Sequence, residues 1–189
     1  NGLHPGAGST NVLFESCGGR DNAKSGFFFC VRANHITVRD CDFEHNDSGM
    51  SIGTRDCHNL IEDCRIRDNR RVGLLVRPSP RPVEVHTCHI RRCQISANGD
   101  AQVDITSDAH DLLFEDNRID GEGQGIGIRV AATASSIGLV DNQISQCEHD
   151  VQIKNEASIG APPQVSTCGY ADAPASAFLH LSVPDLSPT

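Results

Sequence analysis

The chain has 189 residues, a formal net charge of −9 and a pI near 5.4. This length suits a single domain, and the acidic balance argues against a protein that gathers nucleic acid or anionic lipid on a broad basic surface. No apolar run reaches the roughly 18 residues of a transmembrane helix, so we expect no membrane insertion. The first ten residues lack the charged and apolar regions of a signal peptide. Because Val12 and Phe14 already occupy strand positions, we expect the first coil to be incomplete.

A four-residue pattern recurs along the chain at spacings of 23, 24, 29, 23 and 25 residues. It consists of a small residue, an apolar residue, any residue and a second apolar residue. An internal period of this size predicts one supersecondary unit stacked on copies of itself, which is a solenoid. The apolar pairs are Phe27/Phe29, Met50/Ile52, Leu74/Val76, Val103/Ile105, Ile126/Ile128 and Val151/Ile153.

The second half of each repeat keeps the same register. In each repeat, apolar residues alternate with polar ones before and after a position that a small residue occupies, and Gly, Asn and Asp stand between the alternating segments. The residues at that position in successive repeats form a column. This pattern is typical of short strands joined by tight bends, and it predicts an all-β fold with three strands in each coil of 23–25 residues. The column consists of Cys17, Cys41, Cys64, Cys93, Asn117 and Asn142.

Two further columns indicate how neighbouring coils hold their register. Asparagine can stack in a ladder of amide hydrogen bonds along the coil axis, and opposite charges on adjacent strands penalise slippage. The predicted ladder is Asn22, Asn46, Asn69 and Asn98, continued by Glu122 and Cys147. The alternating charges are Glu15, Arg39, Glu62, Arg91 and Glu115.

Cysteine and histidine are plentiful, with nine residues of each. We interpret the stacked cysteines as free thiols that pack as small apolar residues, and an odd number leaves at least one thiol unpaired within the chain. His35 and His58 share one column and His86 and His110 the adjacent one, which we interpret as bend or stacking positions. No His-x-His or Cys-x-x-Cys spacing occurs, so we assign no metal ligands. A metal or acid–base site of His58, His86 and His110 is the alternative.

The segments SGMSIGTRDCHNLIEDCRIRDN and QGIGIRVAATASSIGLVDNQISQC resemble coils of the pectate-lyase-like superfamily of right-handed parallel β-helix proteins, especially bacterial members without an assigned activity. The resemblance spans residues 10 to 155 and implies six to seven right-handed coils in an exported, extracellular or cell-surface protein. Neither the paired Asp-rich motifs of polygalacturonase-like hydrolases nor the calcium-site motif of pectate lyases occurs. The resemblance therefore carries no catalytic residue over to this chain.

The outward positions of the first strand of each repeat provide the candidate site. Asp104 is expected beside Gly127, and Arg77 and Arg129 are expected to flank Thr106, with Lys154 continuing their column. Cations in a column on an acidic protein predict a surface that binds the carboxylates of a uronic-acid polysaccharide. The predicted substrate-binding residues are Arg77, Arg81, Thr106 and Gln152.

Three functions remain open for this face. In a lyase, Lys154 would be the base and Arg129 would neutralise the sugar carboxylate. In a hydrolase, Asp104 would be a catalytic acid, with Asp108 the other carboxylate near the face. In a non-catalytic binding or structural module of a larger exported protein, Arg77, Asp104 and Arg129 would form a solvated ion network. The absence of Trp and the single Tyr favour this last alternative.

The chain is divided into a β-helix over residues 1–159 and a C-terminal capping segment or tail over 160–189, which is rich in Pro, Ala and Ser. The coil that begins at Leu74 is longer than its neighbours because it contains the insertion RPSPRP, from Arg77 to Pro82. Loops of this kind often carry the function of a solenoid. We expect no cofactor, with calcium at acidic corners such as Asp40/Asp63 or Asp116/Asp141 as the alternative.

Overall fold

A computed structural model describes residues 1–78, 85–106, 108–154 and 159–160. These residues form eighteen short strands, arranged in three parallel six-stranded sheets. Each coil contributes one strand in turn to sheets I, II and III, so six coils stack into a parallel β-helix. The predicted all-β solenoid with three strands per coil is confirmed. Nowhere in the described ranges is there a helix long and apolar enough to cross a membrane.

Sheet I consists of β1 (Thr10–Glu15), β4 (Asn34–Arg39), β7 (Leu60–Glu62), β10 (His86–Arg91), β13 (His110–Glu115) and β16 (Ser135–Val140). Sheet II consists of β2 (Gly18–Arg20), β5 (Asp42–Glu44), β8 (Arg65–Arg67), β11 (Gln94–Ser96), β14 (Arg118–Asp120) and β17 (Gln143–Ser145). Sheet III consists of β3 (Ser25–Phe28), β6 (Ser48–Ile52), β9 (Val72–Val76), β12 (Ala101–Ile105), β15 (Ile126–Val130) and β18 (His149–Ile153).

Each coil bends at three recurring residues in the left-handed backbone conformation. In the second coil these are His35, Asp40 and His45, with φ values of +54°, +50° and +57°. Asp, Asn and Ser tolerate this conformation better than most residues, and they occupy many of the corresponding positions in the other coils. The polar residues between the apolar segments are therefore what turns the chain from one sheet to the next.

The interior of the helix is apolar along its whole length. Phe14, Phe27, Phe29 and Phe43 form an aromatic cluster in the first two coils, with ring centroids 4.8–5.7 Å apart. Later coils fill the same space mainly with Ile, Leu and Val, and with Phe114 in the fifth coil. The stacked cysteines lie at a corner of the core, where each thiol donates to the carbonyl two residues before it. All eight described cysteines are free thiols, as predicted for the stacked ones.

The predicted asparagine ladder is present inside the corner between sheets II and III. Asn46 donates through its backbone N–H and its amide to Oδ1 of Asn69, and Asn69 bonds Asn98 in the same way. The prediction that Glu122 and Cys147 continue the ladder is wrong. The side chain of Gln102, from the same coil, accepts both bonds from Asn98 at 3.1 and 2.7 Å, and so ends the ladder.

The predicted alternation of charge along sheet I is also present. Arg39 lies between Glu15 and Glu62, with nitrogen–oxygen distances of 3.4 and 2.7 Å, and Arg91 binds Glu62 at 2.8 Å. Burial by itself raises the pKa of Glu62, but the hydrogen bonds from Arg39 and Arg91 outweigh it and lower the pKa. Glu115, the last member, instead accepts from His89 at 2.9 Å.

Strand β15 pairs with β12 in a different register from the predicted one. Ile128, not Ile126, lies opposite Val103, and Ile126 lies opposite Ala101. The strand is shifted by two residues, which keeps the same side chains inside and outside. Its consequence is that Arg129, rather than Gly127, is the neighbour of Asp104 on the outer face of sheet III.

The structure describes part of each end of the β-helix. Leu3 pairs with Phe27 ahead of the first complete coil, and Ile159 pairs with Ile137 after the last one. Most of the predicted insertion, including Arg81, lies outside the described residues. So does the predicted C-terminal segment from residue 161 onward.

Candidate functional site

Asp104 is the most unusual group on the outer face of sheet III. It lies in β12 between Leu75 and Arg129, and only 6% of its surface is exposed. Its Oδ2 accepts a hydrogen bond from Nη1 of Arg129 at 2.8 Å, whereas Oδ1 is buried and has no partner among the described residues. Burial raises the pKa of Asp104, and the charges of Arg129 and Lys154 offset part of that rise.

The positions beside Asp104 carry three of the other predicted site residues. Arg129 follows it directly across the strands, and Gln152 follows Arg129. Lys154 comes just after β18, and its backbone N–H donates to the Val130 carbonyl at 3.1 Å. Gln152 and Lys154 are exposed. The structure therefore brings Asp104, Arg129, Gln152 and Lys154 to the same end of sheet III.

The predicted column of cations is wrong in its composition. Because β15 is shifted by two residues, the position between Thr106 and Lys154 belongs to Ala131, whose backbone N–H donates to the Ile105 carbonyl. Arg129 lies in the column of Asp104 instead. Of the predicted cations that the structure describes, only Arg129 and Lys154 are thus near each other.

Arg77 does not join them, because its side chain lies back over the preceding coils. Its guanidinium donates to the Phe29 carbonyl at 2.8 Å and to Ser51 Oγ at 3.2 Å, and it covers the Phe28 ring at 4.2 Å. This path needs Gly53, since a Cβ there would lie 2.6 Å from Arg77 Cγ. Arg77 is a structural residue in this arrangement, but it does not join Asp104 and Arg129 in the ion network that the non-catalytic alternative predicts.

Of the two remaining predicted residues, Thr106 is the one that the structure describes. Thr106 is exposed, but its hydroxyl donates to the Val76 carbonyl at 2.8 Å. Arg81 lies outside the described residues. Thr106 therefore offers a ligand only the acceptor lone pairs of its hydroxyl oxygen.

An open groove of about 390 Å³ lies beside Arg129 and supplies carboxylates that the sequence analysis missed. Asp100 lies close enough to raise the pKa of Asp104, although by less than burial does. No repeating pattern marks these residues, because the groove forms at a corner between two coils. Besides Arg129, the groove is lined by Gly99, Asp100, Gln124, Gly125, Ile126 and Glu148.

Four histidines form one row beside sheet I, as the two predicted columns imply: His35, His58, His86 and His110. The rings of His35 and His58 stack with centroids 4.9 Å apart, and those of His86 and His110 stack at 5.1 Å. His58 and His86 meet edge to face at 5.6 Å. The stacking interpretation is confirmed for all four rings.

Metal-binding chemistry is concentrated at one place in this row. Within the described ranges, the one group of three possible ligands is Cys57, His58 and His86, whose donor atoms lie within 4.8 Å of one another. The predicted alternative of His58, His86 and His110 thus differs from it by one residue. The acidic corners considered for calcium form no such group in the described part of the chain.

Comparison with known proteins identifies the architecture. The sequence model of the family described as "Right handed beta helix region" matches residues 8–161. No curated protein and no solved structure shows a significant match to the chain.

Proposed function

Because the chain belongs to the right-handed β-helix family, we propose that it is the carbohydrate-active part of an exported protein and hydrolyses an acidic polysaccharide on sheet III. The observation that carries this proposal is Asp104, which is buried, bonded through one oxygen to Arg129 and without a partner for the other oxygen among the described residues. A carboxyl whose pKa is raised by burial is suited to protonate a glycosidic oxygen.

The surrounding groups supply the other requirements of this reaction. A second carboxylate is needed to activate water or attack the sugar, and Asp100 and Glu148 lie in the groove beside Arg129. Lys154 and Gln152 are exposed at the end of the sheet, where they would bind a sugar carboxylate and hydroxyls. The resemblance to pectate-lyase-like proteins agrees with a uronic-acid polymer as substrate.

The lyase alternative is less well supported by the geometry. That mechanism needs Arg129 to neutralise a substrate carboxylate close to Lys154 as the base. Arg129 already donates to Asp104, and Ala131 occupies the position next to Lys154 in its column. An incoming carboxylate would have to compete with Asp104 for the guanidinium.

A non-catalytic β-helix module is the second candidate, and a separate observation favours it. The first half of the sheet III face is closed by its own side chains, since Arg77 covers Phe28 and Ser51 is only 3% exposed. Because these side chains cover that half of the sheet III face, they leave no room for a ligand there, and this half suits a structural role. Binding would then be confined to the half that carries Arg129 and Lys154.

The test is an activity screen of the wild-type chain and Asp104→Asn against acidic and neutral polysaccharides. Release of reducing ends without new ultraviolet absorbance, lost in Asp104→Asn, is the expected result. The asparagine carbonyl oxygen can keep the hydrogen bond with Arg129, but an amide has no acidic proton to give to the glycosidic oxygen. New ultraviolet absorbance from unsaturated products would indicate a lyase, with Lys154 as its base. A folded wild-type chain that releases nothing would indicate the non-catalytic module.

A further inference from the structure

Two neighbouring coils meet at a cluster of thiol and imidazole groups, where the chain passes from sheet III to sheet I. Cys57 and His58 precede β7, and His86 begins β10 in the next coil. The three side chains are half-buried, and their donor atoms lie within 4.8 Å of one another. Solvent ions can therefore reach the cluster.

The backbone holds the three residues together. Cys57 and His86 form a parallel β-bridge, and the His58 N–H donates to the His86 carbonyl at 3.3 Å. His58 has a φ of +54°, so its place at the bend is fixed by the same left-handed corner that recurs in every coil. The ligands are thus positioned by the stacking of the coils and not by a flexible loop.

Nearby polar groups already orient two of the three side chains. His86 Nδ1 lies 3.0 Å from Thr87 Oγ1, and the Cys57 thiol lies 3.1 Å from Asn34 Oδ1. Hydrogen bonds of this kind commonly hold the ring of a metal-binding histidine in one orientation. With Nδ1 bonded to Thr87, His86 would bind a metal through Nε2.

We propose that Cys57, His58 and His86 bind a divalent transition metal, with Zn²⁺ the best fit. One thiolate and two imidazoles suit zinc and are unsuited to calcium or magnesium, which bind oxygen. Zinc bonds of about 2.0–2.3 Å place tetrahedral ligands roughly 3.3–3.6 Å apart, so the side chains must close by about 1 Å around the ion. Three protein ligands leave the fourth position to water or another small ligand.

The position of the cluster in the repeat supports a dedicated site. The residues that stack with Cys57 and His86 in the same column of sheet I are Thr10, Asn34, His110 and Ser135. Cys57 is thus the sole thiol among the described residues of this column, and His58, which follows it, meets His86 of the next coil edge to face. A bound ion would fasten the third coil to the fourth and raise the melting temperature of the chain.

The experiment titrates the metal-free, reduced full chain with Co²⁺, whose bond to a thiolate gives a charge-transfer band in the near ultraviolet. We expect one Co²⁺ per chain, a thiolate band, and displacement by Zn²⁺. Cys57→Ser should abolish the band and weaken Co²⁺ binding by about 100-fold or more, because a neutral hydroxyl replaces a thiolate. The serine can keep a hydrogen bond to Asn34, so the variant should fold.

A second variant and two matched controls keep the result specific. His58→Asn preserves a residue that tolerates positive φ, and should also weaken binding. Cys30→Ser and His45→Asn change a half-buried cysteine and a corner histidine elsewhere, and should bind Co²⁺ like the wild type. A folded wild-type chain that binds no Co²⁺, or a thiolate band that persists in Cys57→Ser, would overturn the proposal.

Discussion

Single buried polar residues in this chain obtain their partners from the neighbouring coil. Glu62 shows the principle, because its side chain is only 3% exposed and accepts hydrogen bonds from Arg39, Arg91 and Arg92 of the coils on either side. Asp104 differs from it, since one arginine serves one of its oxygens and the other oxygen is unpartnered within the described residues. The contrast between a satisfied and an unsatisfied carboxylate is what separates a structural residue from a candidate catalytic one.

Glu62→Gln should lower the free energy of unfolding at pH 7 by about 1–3 kcal/mol, because the arginines lose a charged acceptor. The pKa of Glu62 is lowered from 4.5 in the folded chain, so its stabilising effect is present above that value and is lost as the pH falls below it. Urea unfolding of both proteins from pH 7 to pH 3 should show the difference shrinking with acidity. A difference that is constant with pH would contradict this account of Glu62.

At the scale of elements, the corner ladder and the strands were predictable to different degrees. Asparagine repeats at one position in successive coils, so its ladder could be read from the spacing alone. The register of β15 could not, because Ile126, Ile128 and Val130 alternate identically after a shift of two residues. The course of the Arg77 side chain depends on the gap above Gly53, which no local pattern reveals. The predicted cation column failed for these two reasons.

Asn69→Ala should lower the free energy of unfolding by about 2–4 kcal/mol, since it removes the acceptor of two buried Asn46 donors and the amide's own bonds to the Phe43 carbonyl and Asn98 Oδ1. Asn22→Ala is the matched control at the half-exposed end of the ladder, where water replaces the lost bonds, and should cost less than about 1 kcal/mol. Urea denaturation measures both. Equal losses would show that the ladder contributes no more inside the helix than at its end.

At the scale of the whole molecule, the chain is a stack in which each described strand pairs only with its neighbours in adjacent coils. Stability in such a stack is approximately the sum of the coils and the interfaces between them. The fold was predictable because the same sequence pattern occurs in six repeats, and each repeat is independent evidence for it. The two sites were only partly predictable, since the stacking of coils brings Asp100 and Glu148 into one groove and Cys57 to His58 and His86, and none of these groupings repeats along the chain.

Hydrogen exchange should therefore be slowest in the middle of the stack. Amides of β9 and β12, which have paired strands on both sides, should exchange at least about 100-fold more slowly than those of β18, which pairs only with β15 among the described strands. Exchange followed by mass spectrometry of peptides resolves these strands. Uniform protection along the chain would indicate that it unfolds as one unit, contrary to this prediction.

The most direct measurement of the central claim is the affinity of the chain for a soluble uronic-acid polymer, compared between the wild type, Lys154→Ala and Arg118→Ala. Both replaced cations are exposed, but Lys154 lies by the sheet III site and Arg118 lies on sheet II, so each variant loses the same charge. We predict that Lys154→Ala binds at least about 10-fold more weakly, the loss of one charge-assisted contact, while Arg118→Ala binds like the wild type. Equal weakening in the two variants, or no binding by the folded wild type, would contradict a polysaccharide site on sheet III.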